Sequence, residues 1–302
     1  MYSSCFLGTG IFCLFLLFSL TAAASQPPPK PLRIWPRLAP GETQRSRGDF
    51  THEVGGRYGA IGKLANISEP ELIFYPAAGP KQLQPTVLVC PGGGYYIVTT
   101  DIEGREIALW LNGLGCNAAV LHYRVPHADI PTPARRMPAL EDAQRAMSLL
   151  RAQAQALRID PHRLGVIGFS AGGHLAARLA CGGARAYPAV DAVDTAGFRP
   201  DFALLIYPAY LWDTAANRPA PEVAPTAQMP PMFLMQTRDD EFLDADLYAA
   251  ALQEQGAQTA CRIYAAGGHG YGLRLPPKLP AHSWAAEAAA WLQRQTGPSH
   301  SR

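Results

Sequence analysis

Charge is scarce in this chain. Asp, Glu, Lys and Arg make up 17% of its 302 residues, against about 25% in an average soluble domain. The net charge is only +2, so there is no basic excess of the kind that nucleic-acid binding requires. Long apolar runs are missing too. The longest, Ile11–Leu20, covers about ten residues, whereas a bilayer span needs about 20. No Cys-x-x-Cys pair and no His/Cys cluster with zinc spacing occurs, and no metal is called for. The phosphate-cradling pattern G-x-x-x-x-G-K-[ST] is absent, as is any internal repeat, which excludes that nucleotide loop and a solenoid. Apolar residues, in contrast, reach 48%, enough for a large core and against general disorder. Gly and Pro number 28 each, clustered without a collagen period, and read as turns and loops.

The short apolar run is followed by Thr21 and Ala22-Ala23-Ala24, a small-residue pattern that suits signal cleavage. Residues 1–24 are therefore expected to be a secretory signal peptide, with a secreted or periplasmic location and no membrane span after cleavage. Cys5 and Cys13 leave with that segment. Cys90, Cys116, Cys181 and Cys261 remain in or beside apolar stretches and are read as buried free thiols. Residues 25–65, rich in Pro, Arg and Gly, are expected to form an irregular N-terminal arm. A single catalytic domain over 66–297 and a short tail at 298–302 complete the organisation.

Strand-like apolar runs occur at 72–75, 86–90, 118–123, 164–167, 202–207, 232–235 and 259–264, bounded by Gly and Pro. Helical spacing lies between them, at 107–113, 139–156, 172–180, 245–255 and 284–295. Apolar strands alternating with helices predict an α/β fold, a mostly parallel sheet with helices on both faces.

The sharpest local signal is Gly168-Phe169-Ser170-Ala171-Gly172 between a predicted strand and a predicted helix. A serine on so tight a turn is lifted above the sheet edge at a helix N-terminus, which marks Ser170 as a nucleophile. Upstream, Cys90-Pro91-Gly92-Gly93-Gly94-Tyr95-Tyr96 also follows a strand. Bare backbone amides there can approach a developing oxyanion, so Gly93, Gly94 and the Ala171 amide are the expected donors. A serine hydroxyl needs a base, and the base an orienting carboxylate, in the chain order Ser, Asp, His. After the strand 232–235 come Asp239 and Asp240. Asp239, nearer the strand end, is favoured, with Asp240 kept as the alternative and Asp244 read as a helix cap. His269 stands in a loop with Gly267, Gly268, Gly270 and Gly272 and is the expected base. His174, one helical turn past Ser170, is read as packing.

Together these residues resemble the α/β-hydrolase superfamily, and within it the carbohydrate acetyl esterases often described as acetyl xylan or xylanase-associated esterases. The matching segments are Cys90–Tyr96, Glu103-Gly104, Leu111–Cys116, Tyr123–Pro126, Gly168–Ala176, Asp239-Asp240 and Gly267–Arg274. They extend from about residue 66 to the C-terminal helix. Pro91 stands where lipases of the superfamily commonly carry a histidine, which suits the acetyl-esterase branch. The resemblance implies a serine esterase that removes acetyl groups from decorated oligo- or polysaccharides, without a cofactor. The stretch Leu211–Pro231 is too short for a large lid domain, which leaves room for a polymeric substrate. Tyr95, Tyr96 and Trp212 are available to stack on sugar rings, and Arg124 and Arg274 to make polar contacts. Oligomeric state is not indicated.

Three other readings compete with this one. A serine peptidase of the prolyl-oligopeptidase type shares the Asp-Asp pair and late histidine, but no propeller is present. Gly113-x-Gly115-x-x-Ala118 matches a dinucleotide fingerprint in composition, yet it leaves a helix and enters a strand, the wrong order. A non-catalytic hydrolase-fold binding protein typically lacks a triad member, and here none is lacking.

Overall fold

The computed structural model describes residues 29, 31–79, 82–125, 134 and 136–297. The signal segment expected at 1–24 and the tail at 298–302 lie outside these residues. In chain order the strands are β1 (Pro31–Arg33), β2 (Asp49–Gly56), β3 (Gly59–Ala65), β4 (Glu71–Tyr75), β5 (Gln84–Cys90), β6 (Ile97–Thr99) and β7 (Asn117–His122). They continue with β8 (Ile159–Phe169), β9 (Ala203–Ile206), β10 (Trp212–Asp213), β11 (Arg218–Pro219), β12 (Met232–Thr237) and β13 (Thr259–Tyr264). The helices are α1 (Glu106–Gly113), α2 (Arg136–Ala152), α3 (Ala171–Cys181), α4 (Ala245–Glu254) and α5 (Trp284–Thr296).

Eight strands form the central sheet in the order β1-β4-β7-β5-β8-β9-β12-β13. Pairing is parallel from β7 through β13, and antiparallel only where β4 and β1 close one edge. The mostly parallel sheet expected from the sequence is therefore present. Strand β5 shows why its run is continuously apolar. Val87 and Val89 enter the core layer that holds Ile107, Leu111, Trp284 and Leu292. Leu88 and Cys90 enter the opposite layer, with Met147, Leu175 and Leu252. Alternate side chains point to opposite faces, and both faces are covered by helices, so none of the positions 87–90 is free to be polar. Each such fully buried aliphatic side chain contributes roughly 1.5–3 kcal/mol over its exposed state.

Of the region 25–65, the described residues from 31 on depart from the irregular arm expected. Strand β1 joins the central sheet, while β2 and β3 form a hairpin that pairs with β6 in a separate three-stranded sheet. Between β1 and β2, Ile34, Trp35 and Ala39 are buried. What holds them is a set of polar groups far along the chain. The Trp35 indole N–H donates to Asp142 Oδ1 at 2.8 Å, and Arg145 Nε donates to the Ile34 carbonyl at 2.8 Å. Arg124 donates from Nη1 to the Pro40 carbonyl at 2.6 Å and from Nε to both Asp142 oxygens at 3.0 Å. It also reaches Glu141 Oε2 at 2.7 Å. None of this can be read from residues 25–65 alone. Arg124 is thus corrected from a substrate contact to a structural residue: it is 1% exposed and its donors are committed. Arg274 is occupied in the same way, by Glu106 and by the carbonyls of Tyr58 and Ala60. Among the described residues the four cysteines are free thiols, and burial pushes those of Cys116, Cys181 and Cys261 up to about 11.

Breaking one partner of a buried ion pair leaves the other uncompensated. Arg124→Ala is expected to lower stability by about 3–5 kcal/mol, read as a reduced urea midpoint. The KM of the folded variant for an acetylated oligosaccharide should match the wild type, which a contact to the sugar would not allow.

Candidate active site

Strand β8 ends at Phe169 and α3 begins at Ala171, so the whole turn is one residue, Ser170. Its backbone takes φ 53° and ψ −120°, a region that costs a non-glycine residue about 1–3 kcal/mol. The flanking glycines are a matter of space. A Cβ on Gly172 would stand 2.0 Å from the Cys90 carbonyl oxygen, and one on Gly168 would stand 2.0 Å from the Gly172 carbonyl oxygen. The turn is further pinned where Ser170 N donates to the Ile206 carbonyl at 3.1 Å and Ala209 N to the Ser170 carbonyl at 3.2 Å.

Ser170 Oγ lies 2.7 Å from His269 Nε2, and His269 Nδ1 lies 2.9 Å from Asp240 Oδ2. A carboxylate only accepts, so Nδ1 carries the proton and Nε2 is left to accept from the serine hydroxyl. The carboxylate is Asp240, not the favoured Asp239. After β12 the chain makes a turn in which Asp240 N donates to the Thr237 carbonyl at 3.2 Å, and this carries the buried position one residue further. Asp240 is 6% exposed, and its other oxygen accepts from Phe242 N at 2.9 Å. Asp239 is exposed and holds the histidine loop instead, Oδ1 accepting from Gly267 N at 3.0 Å and Gly268 N at 2.9 Å. Burial works to raise the Asp239 carboxyl, but these amides and Thr237 outweigh it and hold it below the usual carboxylate range. The imidazole of His269 is bracketed by the rings of Tyr207 and Phe242, with centroids at 5.1 and 4.9 Å.

The glycine loop lies against the same turn. A Cβ on Gly92 would be 2.9 Å from the Phe169 carbonyl oxygen and 3.0 Å from Ser170 Cβ. Gly93 has φ 137°, and a side chain there would meet the Ile97 carbonyl at 2.1 Å. Among the described residues, the amides of Gly93 and Gly94 donate to no protein acceptor. Ala171 N opens α3, where first-turn amides have no acceptor within the helix. These three amides thus lie on the two segments that adjoin Ser170, the loop after Gly92 and the start of α3.

Two residues that sequence reasoning did not assign support both loops. Glu103 is 3% exposed and accepts from Gly92 N at 2.8 Å, Thr99 Oγ1 at 2.8 Å and Tyr207 O–H at 2.7 Å. The Tyr207 oxygen in turn accepts from Gly272 N in the histidine loop at 2.9 Å. Glu103-Gly104 was visible as part of the family resemblance, whereas nothing local marked Tyr207. Gln236 is a third, donating to Asp240 Oδ2 at 3.2 Å and accepting from Asp244 N and Ala245 N at 3.2 and 3.1 Å.

Of the aromatic residues expected at a sugar site, Tyr95 is corrected. It is 1% exposed, with its hydroxyl 2.8 Å from His174 Nδ1, and no face is open to a substrate. His174 is packing, as expected, and burial pushes it down to about 4, so it is neutral. Tyr96 is 50% exposed. Trp212 is half-buried on the β10–β11 hairpin and lines a cavity with Tyr210 and Phe242.

Known proteins are similar to this chain in sequence and fold. Residues 87–226 match the family described as alpha/beta hydrolase fold. An acetylxylan esterase of Xylanibacter ruminicola is 25% identical over 209 residues, 61% of this chain and 40% of that protein. Endo-1,4-beta-xylanase B of Butyrivibrio fibrisolvens is 30% identical over 210 residues, 61% of this chain and 32% of that protein. The chain therefore matches well under half the length of either relative. Among solved structures, an acetyl ester-xyloside bifunctional hydrolase from Caldicellulosiruptor lactoaceticus superposes with a TM-score of 0.70 at 28% identity, covering 90% of this chain and 98% of that one. In the order of its strands and in the sequence that builds its serine turn, this chain has the α/β-hydrolase fold, and it is similar in sequence to the acetylxylan esterases.

Proposed function

We propose that this protein is a serine esterase that removes acetyl groups from xylan-type carbohydrates through an acyl-enzyme. The reading rests above all on the continuous hydrogen-bonded path from Ser170 through His269 to Asp240, 2.7 and 2.9 Å. In this mechanism Ser170 Oγ attacks the acetyl carbonyl while His269 Nε2 takes its proton. Asp240 holds the tautomer and stabilises the imidazolium that forms. The amides of Gly93, Gly94 and Ala171 receive the oxyanion, each such donor typically being worth about 3–4 kcal/mol in the transition state. His269 then returns the proton to the departing sugar hydroxyl, and a water activated by the same imidazole releases acetate. The acetyl and xylan parts of the reading draw on the relatives named acetylxylan esterase and acetyl ester-xyloside hydrolase. Action outside the cytoplasm is proposed on the strength of the apolar run Ile11–Leu20 and the alanines after it.

The two aspartates give the discriminating test. Asp240→Asn reverses the tautomer preference of His269 and is expected to lower kcat on nitrophenyl acetate by about 10³–10⁴-fold. In Asp239→Asn the remaining amide oxygen still accepts from the loop amides, and the loss should stay within about tenfold. Ser170→Ala should fall to background, and retained turnover in that variant would refute the nucleophile. On acyl length, kcat/KM for nitrophenyl acetate is expected to exceed that for the octanoate by roughly tenfold or more. The opposite preference would remove the acetyl reading and leave a general carboxylesterase.

A further inference from the structure

Beside His269 the molecule holds a cavity of about 380 Å³ that acyl transfer itself leaves unused. Tyr210, Trp212, Asn217, Phe242 and Asp244 are among the residues lining it. Phe242 joins it to the reacting groups, since its ring is 4.9 Å from that of His269, and Tyr210 stands edge-on to Phe242 at 5.9 Å. The volume lies at the small end of ligand sites, which run from about 300 to 1,000 Å³.

The polar groups of this cavity are not all satisfied by the protein. Asp244 is 9% exposed. Its Oδ2 accepts from the amides of Leu211 and Trp212 at 2.9 and 3.2 Å, but its buried Oδ1 has no hydrogen-bond partner among the described residues. Buried carboxylate oxygens are rarely left so, because nothing replaces the water they gave up. Burial accordingly raises the Asp244 carboxyl to about 7. Asn217 accepts from the Trp212 indole at 3.3 Å, which leaves its amide N–H donors without a protein acceptor among the described residues. An acyl chain seated here would satisfy neither group. A sugar ring would satisfy both, because it offers a C–H face to aromatic side chains and hydroxyls that donate and accept at its rim.

We propose that this cavity is a subsite for one pyranose ring of the acetylated carbohydrate, with Trp212 and Tyr210 against its C–H face and Asp244 Oδ1 and Asn217 bonded to its hydroxyls. The proposal rests on the esterase reading and deepens it by naming what holds the sugar. In this proposal the ring is that of the leaving alcohol, and the subsite contributes binding, while Ser170 and His269 carry the chemistry.

The test compares kcat/KM on acetylated xylotriose with kcat/KM on nitrophenyl acetate, which carries no sugar, in wild type and in Trp212→Ala, Asn217→Ala and Asp244→Asn. The ratio of sugar ester to nitrophenyl ester is expected to fall by about tenfold or more in each variant, chiefly through KM on the sugar ester. Asp244 also anchors the hairpin, so a variant there that does not fold is set aside. Trp212→Ala and Asn217→Ala, the latter on the exposed tip, then decide. A ratio within about twofold of wild type in both overturns the subsite and leaves the esterase reading standing. A wild-type enzyme active on nitrophenyl acetate but inactive on acetylated xylotriose overturns both the carbohydrate reading and the subsite.

Discussion

At the end of β8 the chain reverses from strand to helix across one residue, and three backbone segments meet there without a side chain between them. Gly172 faces the Cys90 and Pro91 carbonyls, at distances of 2.0 and 2.5 Å from where its Cβ would be, while Gly168 faces Gly172. This close approach sets the strained φ of Ser170, brings the end of β5 next to the turn, and so places the glycine loop beside the serine hydroxyl. The strain is sustained because the C-terminal halves of β5 and β8 and all of β9 are buried and in parallel register. A turn held less firmly would relax toward ordinary φ and withdraw the hydroxyl from the histidine.

The loops that complete the site are joined by buried polar bonds rather than by sequence proximity. Glu103 binds the glycine loop through Gly92 N, and its bond to Tyr207 continues to Gly272 in the histidine loop. Asp239 and Thr237 clamp the start of that loop onto the end of β12. The donors for an oxyanion and the base for the serine are therefore referenced to one another across the sheet edge. Such preorganisation matters because a fixed dipole needs no reorientation when charge develops. The N-terminal segments follow the same logic, with Arg124, Asp142 and Arg145 binding residues 34–40 from the far side of the chain.

Much of the fold was legible because its determinants are local. The apolar runs at 86–90 and 232–235 and the helix at 284–295 are continuous stretches, and their observed bounds differ by a few residues. Residues 25–65 failed the same reasoning. Strands β2 and β3 are largely exposed or half-buried, so no apolar alternation marks them, and they are strands only because they pair with each other and with β6. Tyr95 looked like a binding aromatic for the converse reason: nothing beside it in the chain reveals that His174, 79 residues away, takes its hydroxyl.

Sequence by itself determined the strand–helix alternation, the serine on its glycine-flanked turn, the bare amides of Gly93 and Gly94, and the histidine between glycines. Each is a demand of the backbone on the residues immediately around it, and neighbours in sequence meet such demands. Only the tertiary structure decided between two adjacent aspartates. Burial and hydrogen-bond partners separate them, and those come from residues such as His269, 29 positions along the chain. It also assigned Glu103 to a tyrosine 104 positions away and left Asp244 Oδ1 unpaired beside Trp212. Low-dielectric pairing of this kind depends on what surrounds a group in space, and no local pattern of residues records it.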